Sequence, residues 1–374
     1  MRHMADEAND PTRVDGAPHP RETHELLGQD AAQIAFLDAF STGRLHHAWL
    51  LTGQRGVGKA TLAWRIARFL LATPDPDPDD MFAPTPPTSL AISPDHPVAR
   101  RIAAGAEPGL KFVHRSVNEK TKRLRDQIVV DDIRALGAFF QLSATDGGRR
   151  VVIIDAADDM NVNAANALLK MLEEPPARTT LLLICHQPSR LLPTIRSRCR
   201  TLRLGTLNSD QMVQAMAQAG TDPGPVGAAL AELSAGSVGE ALRIALLDGL
   251  KIYAEVIALM QSMPNLDRAR ALALAEAAGT RGAEARLDLL YTLIDIALSR
   301  LARTGAGHPP RIEAAQNEAA TFARLAAHPA QARAWADTAQ TALARARHGR
   351  AVNLDPAALV LDTFFKLSQT ATPR

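Results

Sequence analysis

Gly53-Gln54-Arg55-Gly56-Val57-Gly58-Lys59-Ala60-Thr61 is the stretch on which the reading of this chain turns. It fits the phosphate-cradling pattern G-x-x-x-x-G-K-[ST] at every fixed position but the last. The apolar run Ala48-Trp49-Leu50-Leu51-Thr52 before it reads as a buried strand. Leu62, Ile66, Phe69 and Leu70 after it share one face of a helix. Strand, glycine loop and helix together give the motif its mechanism. Backbone N–H groups turn inward around an anion, the helix N-terminus adds its dipole, and Lys59 adds a full charge. The loop residues Gly53, Gly56, Gly58 and Lys59, with Thr61, are therefore candidate nucleotide contacts. The hydroxyl that would hold Mg²⁺ in such a loop is replaced by Ala60. Thr61 stands one residue later, about 100° further round the helix.

Outward from this loop, a second apolar run, Val151-Val152-Ile153-Ile154-Asp155, ends in an acid. A continuous apolar run of this kind is the signature of a parallel strand buried on both faces. Following a P-loop, Asp155 is the expected Mg²⁺-holding aspartate. The next residue is Ala156, whose methyl group cannot polarise a water as a base would. Thr180–Cys185 reads as a further buried strand, with Cys185 and His186 where a γ-phosphate sensor would stand. Asn166–Glu174 reads as a helix stopped by Pro175-Pro176. Leu192–Arg200 contains Ser197-Arg198-Cys199 and leads into a short strand, 200–204.

The chain has 374 residues, enough for two or three domains. Hydrophobic residues make up 46%, sufficient for real cores, and the net charge of +2 argues against bulk affinity for nucleic acid or membranes. The two cysteines, Cys185 and Cys199, form no C-x-x-C pair, so neither a cysteine zinc module nor a disulfide framework is expected. No run is apolar for long enough to span a bilayer, and the acidic N-terminus is not a signal peptide. A cytoplasmic protein without a membrane partner is expected.

The organisation expected is a disordered tail over 1–22, an α/β P-loop domain over 23–205, a helical lid over 206–247 and an all-helical domain over 248–374. Residues 74–97 hold eight of the 24 prolines and read as an insertion without regular structure. Adjacent His46 and His47 read as packing at the start of the first strand rather than as a metal pair. The cluster Lys120, Lys122, Arg123 and Arg125 reads either as a solvated loop or as a DNA-phosphate contact. Helices are expected over 253–260, 266–278, 283–303, 310–327, 330–347 and 356–367. Asp355 is the expected cap of the last, with Pro356 in its first turn.

Taken in order, Gly-Gln-Arg-Gly-Val-Gly-Lys, Val-Val-Ile-Ile-Asp, Asn-Ala-Leu-Leu-Lys-Met-Leu-Glu-Glu-Pro-Pro and Ile-Arg-Ser-Arg-Cys resemble the AAA+ clamp-loader family. The resemblance is strong over about 26–247 and weak beyond. It implies membership of a pentameric ring that opens a sliding clamp and places it on primed DNA. It also implies that the helical domain over 248–374 is the collar that assembles the ring. The implied partners are gamma/tau-like motor subunits, a delta subunit, the clamp and, through the complex, DNA. Each ATP site in such a ring lies at a boundary and is completed by the neighbour's Ser-Arg-Cys arginine, here Arg198 of Ser197-Arg198-Cys199. In this family the motor subunits' lid arginine would stand at Gly239. With Ala60, Ala156 and Gly239, three catalytic positions are missing while fold-forming ones remain, which implies a stator and not a motor. No cofactor is then required; the loop leaves room for ATP or ADP, with Mg²⁺ only if nucleotide is bound. Relatives often carry a four-cysteine zinc module after the P-loop helix, but the Pro-rich stretch here has no cysteine, so no metal is implied. The rival reading is a self-sufficient P-loop ATPase, a motor subunit or a helicase.

Overall fold

The computed structural model describes residues 10–14, 17–73, 87–141, 148–222, 224–280 and 282–372. The chain forms two compact units, Met1–Thr221 with Ser237–Gly239, and Asp222–Gly236 with Glu240–Arg374.

The first unit is built on five strands: β1 (Ala48–Thr52), β2 (Leu110–Val113), β3 (Arg150–Ile154), β4 (Thr179–Cys185) and β5 (Arg200–Arg203). Their order across the sheet is β2-β3-β4-β1-β5, and every pairing is parallel. β1 and β4 are buried along their whole length, as unbroken apolar runs require. Side chains alternate between faces. Trp49, Leu51, Ile153, Leu182 and Ile184 join one core, with Phe36 and Phe40 of helix α1 (Asp30–Ser41), Leu62, Ile66 and Phe69 of α2 (Lys59–Ala72), and Ile102 of α3 (Pro97–Ala103). Ala48, Leu50, Val152, Leu181 and Leu183 join the other. There they meet Ile133 and Leu136 of α4 (Val130–Gln141), Leu168 and Leu172 of α5 (Val162–Glu173), and Ile195 of α6 (Pro193–Arg196). The unit continues through α7 (Ser209–Gln218), which opens on a capping box formed by Asn208 and Gln211.

Two expectations need correction here. The segment 1–22 is not a disordered tail from residue 10 on, although 1–9 and 15–16 lie outside the described residues. His19 is only 3% exposed and packs edge-on against Trp64, ring centroids 5.7 Å apart. Its Nε2 also meets Asp10, at 3.1 Å. Buried Arg68 donates to the carbonyls of Arg21 (3.0 Å) and Thr23 (2.5 Å), tying the strap to α2. Polar composition suggested disorder, but Arg68 and Arg65 of α2 bind backbone carbonyls, Arg65 that of His24, and such acceptors leave no trace in composition. Of the Pro-rich stretch, 74–86 lies outside the described residues. The part from 87 is anchored by buried Leu90, and Pro97 opens α3. His46 and His47 do pack at the start of β1, but they also stack, with centroids 4.3 Å apart. They precede the extended strand, so the strand's alternation does not separate them.

The second unit is helical, with α8 (Gly227–Leu233), most of α9 (Val238–Leu246), α10 (Gly249–Ser262), α11 (Arg268–Gly279), α12 (Glu284–Gly305), α13 (Glu318–Leu325), α14 (Pro329–Ala351) and α15 (Pro356–Ala371). Leu287, Leu290, Ile294, Leu298 and Leu301 of α12 are all core. Asp355 caps α15, accepting from Ala358 N at 2.8 Å. The helix expected over 310–327 is confined to 318–325, and the reason is a buried ion pair. Glu318 is fully buried and accepts from Arg300 Nε (2.7 Å), Tyr253 Oη (2.6 Å) and the backbone N–H of Ala314 (2.7 Å). Arg300 also donates to Glu232 (2.8 Å) and to the carbonyl of Ile312 (2.7 Å). Residues 312–314 must stay unwound to give these backbone groups to the pair. Among the described residues no helix is long and apolar enough to cross a membrane.

Candidate functional site

The glycine loop lies at the carboxyl end of β1, the strand flanked by β4 and β5. From there the chain crosses to β2 at the far edge and returns through β3 and β4. Such a reversal opens a crevice at the carboxyl ends of the strands, where ligands of open α/β sheets bind. Gly58, at φ +98°, turns the chain into α2. Lys59 is 2% exposed, and its Nζ donates to the carbonyls of Gly53 (2.7 Å) and Gln54 (2.5 Å). Burial pushes its pKa down to about 8, opposed by the charges of Asp155 and Asp158. Asp155 follows β3, and burial pushes it up to about 7 against the pull of Lys59. The charges of Lys59 and Asp155 thus act on each other, each opposing the shift that burial imposes on the other.

The catalytic replacements are packed, not vacant. Ala60 leans on the apolar core and Ala156 is 4% exposed. Thr61 is half-buried in the first turns of α2. Buried Asp158 accepts from the backbone N–H groups of His186 (3.0 Å) and Gln187 (2.9 Å), so it fixes the loop after β4. Asp159 faces Arg115 at 3.6 Å. Both acids are thus engaged by groups of this chain. Burial, then the charge of Lys59, push His186 down to about 4, which keeps it neutral at pH 7. Burial pushes the Cys185 thiol up to about 12, far from thiolate chemistry.

Two features of the site escaped the sequence. Gln29, 3% exposed, donates through Nε2 to the carbonyls of Val57 (3.2 Å) and Gly205 (2.9 Å) and accepts from Gly205 N (3.1 Å). It clasps the glycine loop to the segment after β5. Read locally, Gln29 is only a polar residue before a helix; its partner lies 176 residues on. The second is the contact of residues 237–239 with the loop. Ser237 Oγ donates to the carbonyl of Arg55 (2.8 Å), and Gly239 N donates to that of Gly56 (3.2 Å). A Cβ at Gly56, φ +80°, would stand 2.3 Å from Ser237 Oγ and 3.0 Å from Gly239 Cα. Gly239, expected only as a missing arginine, is also a close-approach residue.

Ser197-Arg198-Cys199 forms the turn between α6 and β5, away from the carboxyl ends of the strands. Arg198 is partly exposed. It faces Glu173, the last residue of α5, at 2.9 Å and donates to the carbonyl of Thr194 at 3.1 Å. Ser197 Oγ donates to the same carbonyl at 3.1 Å. Cys199 packs against the core that holds Leu168 and Ile195, and burial pushes its thiol up to about 12. Of the basic cluster, Lys120, Lys122 and Arg123 are exposed together on a tight loop. It is closed by Asn118 N to Arg123 O (2.8 Å) and Lys122 N to Asn118 O (2.8 Å). Arg125 is set apart, half-buried, at the loop's base.

Residues 28–208 match a family model described as DNA polymerase III, delta subunit. A DNA polymerase III subunit delta' from Escherichia coli is 32% identical over 263 residues, 70% of this chain and 72% of that one. The delta' subunit from Pseudomonas aeruginosa is 43% identical over 153 residues, 41% of each chain. Against several other relatives, including a gamma subunit from Buchnera aphidicola (47% of its length), the match spans half of the relative or less. A solved gamma-subunit-related protein from Thermotoga maritima covers 90% of this chain and all of its own, at 16% identity and a TM-score of 0.44.

Proposed function

Because the chain belongs to the delta' family of bacterial DNA polymerase III clamp-loader subunits, we propose that it is the stator of the loader. In this reading it supplies Arg198 in trans to a neighbour's ATP site and hydrolyses no ATP itself. One observation carries the reading. The arginine of the trans motif is partly exposed in a turn, while the chain's own loop lacks a Mg²⁺ hydroxyl at 60, a base at 156 and a lid arginine at 239. Asp158 and Asp159 are committed to other partners, which argues against the rival reading as a self-sufficient ATPase.

The chemistry is that of phosphoryl transfer, where catalysis is positioning and charge stabilisation and an arginine from a neighbour is worth about 10³–10⁵ in rate. The ion pair with Glu173 is solvent-exposed, and such pairs contribute about 0–1 kcal/mol, so Arg198 can exchange a carboxylate for a phosphate at little cost. Gamma/tau-like motors, a delta subunit, the clamp and primed DNA are the proposed partners. The helices of 248–374 are proposed as the ring-forming collar and 206–247 as the lid. Lys120, Lys122 and Arg123 are proposed to touch DNA phosphates, with Arg125 supporting the loop.

The test is ATP turnover by the complex reconstituted with its motor subunits. Arg198→Ala is expected to assemble normally and to lower turnover and clamp loading, with Arg198→Lys nearly as damaging because a point charge lacks the guanidinium fork. The isolated chain is expected to show no turnover near the usual range of about 1 s⁻¹ or above. Unchanged turnover by an assembled Arg198→Ala complex would reject the trans role.

A further inference from the structure

Residues 190–209 hold five arginines, Arg190, Arg196, Arg198, Arg200 and Arg203, and no lysine, aspartate or glutamate, in a chain whose net charge is only +2. Most of them lie along an edge. β5 ends the sheet, with β1 its one neighbour among the described residues. Leu202 and Leu204 turn in to the core that holds Trp49, while Thr201 and Arg203, which alternate with them, are exposed. Arg196 closes α6, Arg200 opens β5, and Arg203 stands further on, about 10 Å along the strand. All three are exposed, and none meets a carboxylate among the described residues. The Arg200 guanidinium lies 5.1 Å over the Trp49 ring, which orients it without neutralising it. Arg190 stands apart after β4, where its charge falls on Asp159. Among the described residues, Arg198 alone in the stretch has a carboxylate at ion-pair distance, Glu173 at 2.9 Å.

Charge on a sheet edge is commonly a guard against strand-to-strand aggregation. Two observations favour recognition instead. The usual guard residue is lysine, whereas this stretch uses arginine alone, and arginine is enriched and lysine depleted at protein interfaces. The chain also supplies a carboxylate to Arg198 while leaving Arg196 and Arg200, on either side of it, without one. We propose that Arg196, Arg200 and Arg203 form an electrostatic docking edge for an acidic face of the neighbouring subunit that receives Arg198. The identity of that neighbour rests on the trans role of Arg198. The bare charges flank Arg198, so a protein face that receives it also meets them. Exposed charges at an interface act mainly on the association rate and its salt dependence, and their reach is about 8 Å at physiological ionic strength. The three arginines thus steer the two subunits together and set the register in which Arg198 arrives.

Stopped-flow association of the full chain with the purified motor subunit, at about 0.05 M and about 0.5 M salt, tests it. The triple variant Arg196→Gln/Arg200→Gln/Arg203→Gln is expected to associate at least about tenfold more slowly at low salt and within about twofold of the unmutated chain at high salt. Arg196→Gln/Arg203→Gln leaves the stack on Trp49 intact. It should still associate at least about threefold more slowly at low salt, so a folding defect at Arg200 does not decide the outcome. Raising the concentration of either variant should restore ATP turnover by the complex, whereas no concentration restores Arg198→Ala. Normal turnover in Arg198→Ala rejects the trans role; normal association of the triple variant at low salt rejects the docking edge. An equal loss at both salts would mean lost packing and not lost charge. A triple variant that associates normally while the free chain loses affinity for duplex DNA would make the edge a nucleic-acid surface. Either result overturns the proposal.

Discussion

Replacing Gly56 by alanine tests how closely residues 237–239 seat on the glycine loop. Two costs are expected. At φ +80° an L-residue is left-handed, which costs roughly 1–2 kcal/mol. The new methyl group would also stand 2.3 Å from Ser237 Oγ and 3.0 Å from the backbone of Gly239, and overpacking of this kind typically costs about 1–3 kcal/mol. Ser237 can turn away only by giving up its bond to Arg55 O, worth about 1 kcal/mol. Gly43→Ala separates the two costs. Its φ is +66°, but nothing lies within 4 Å of the added Cβ, so it carries the conformational cost alone. Urea unfolding can be followed by tryptophan fluorescence with Trp335→Phe in every variant. The signal then comes from Trp49 and Trp64, both in the first unit. Gly56→Ala is expected to lose about 1–3 kcal/mol more than Gly43→Ala. Equal losses would show that 237–239 do not press on the loop, and the account of Gly239 as a close-approach residue would fail.

Glu173→Ala in the reconstituted complex should change turnover by less than about fivefold, since an exposed ion pair holds Arg198 by no more than about 1 kcal/mol; a loss as deep as that of Arg198→Ala would mean that Glu173 acts in the chemistry. Asp155→Asn should gain stability over the unmutated chain as pH rises. Its carboxyl titrates near 7 when folded against 3.8 ordinarily, so the native state binds the extra proton and loses that advantage between about pH 4 and 7. The gap should grow over that window, level off above it, and stay below about 4.5 kcal/mol; urea midpoints from pH 4 to 8 measure it, and a pH-independent gap would refute the raised titration of Asp155. Glu318→Gln should cost about 3–5 kcal/mol, because it leaves Arg300 buried with a weakened partner. Tyr253→Phe should cost less, about 1.5–3 kcal/mol, and chemical denaturation monitored at Trp335 distinguishes the two.

The strands and the glycine loop were legible because their signals are local. An unbroken run such as Val151–Ile154 admits one environment, and the spacing from Gly53 to Lys59 admits one backbone path. The family was legible for a different reason, the order of four motifs along the chain. What escaped is held by contacts distant in sequence. Gln29 reaches Gly205, Arg68 reaches the carbonyls of the strap, and Arg300 reaches Ile312. Each is a side chain bonded to backbone, and a backbone acceptor has no residue-type signature. The same limit explains the overlong helix over 310–327. Its pattern is helical, and only the demand of a buried pair for unwound N–H and C=O groups cuts it short.

That buried pair also has a consequence for the order in which the chain is made. Glu232 leaves the ribosome 68 residues before Arg300, its partner. At about 5–20 residues per second, the α8 segment waits roughly 3–14 s before that partner is synthesised. Its apolar residues Leu230 and Leu233 are buried in the finished protein. Glu318, which anchors Arg300, arrives later still. The buried ion pair of the second unit can therefore be completed only once Glu318 has been synthesised, 86 residues after Glu232.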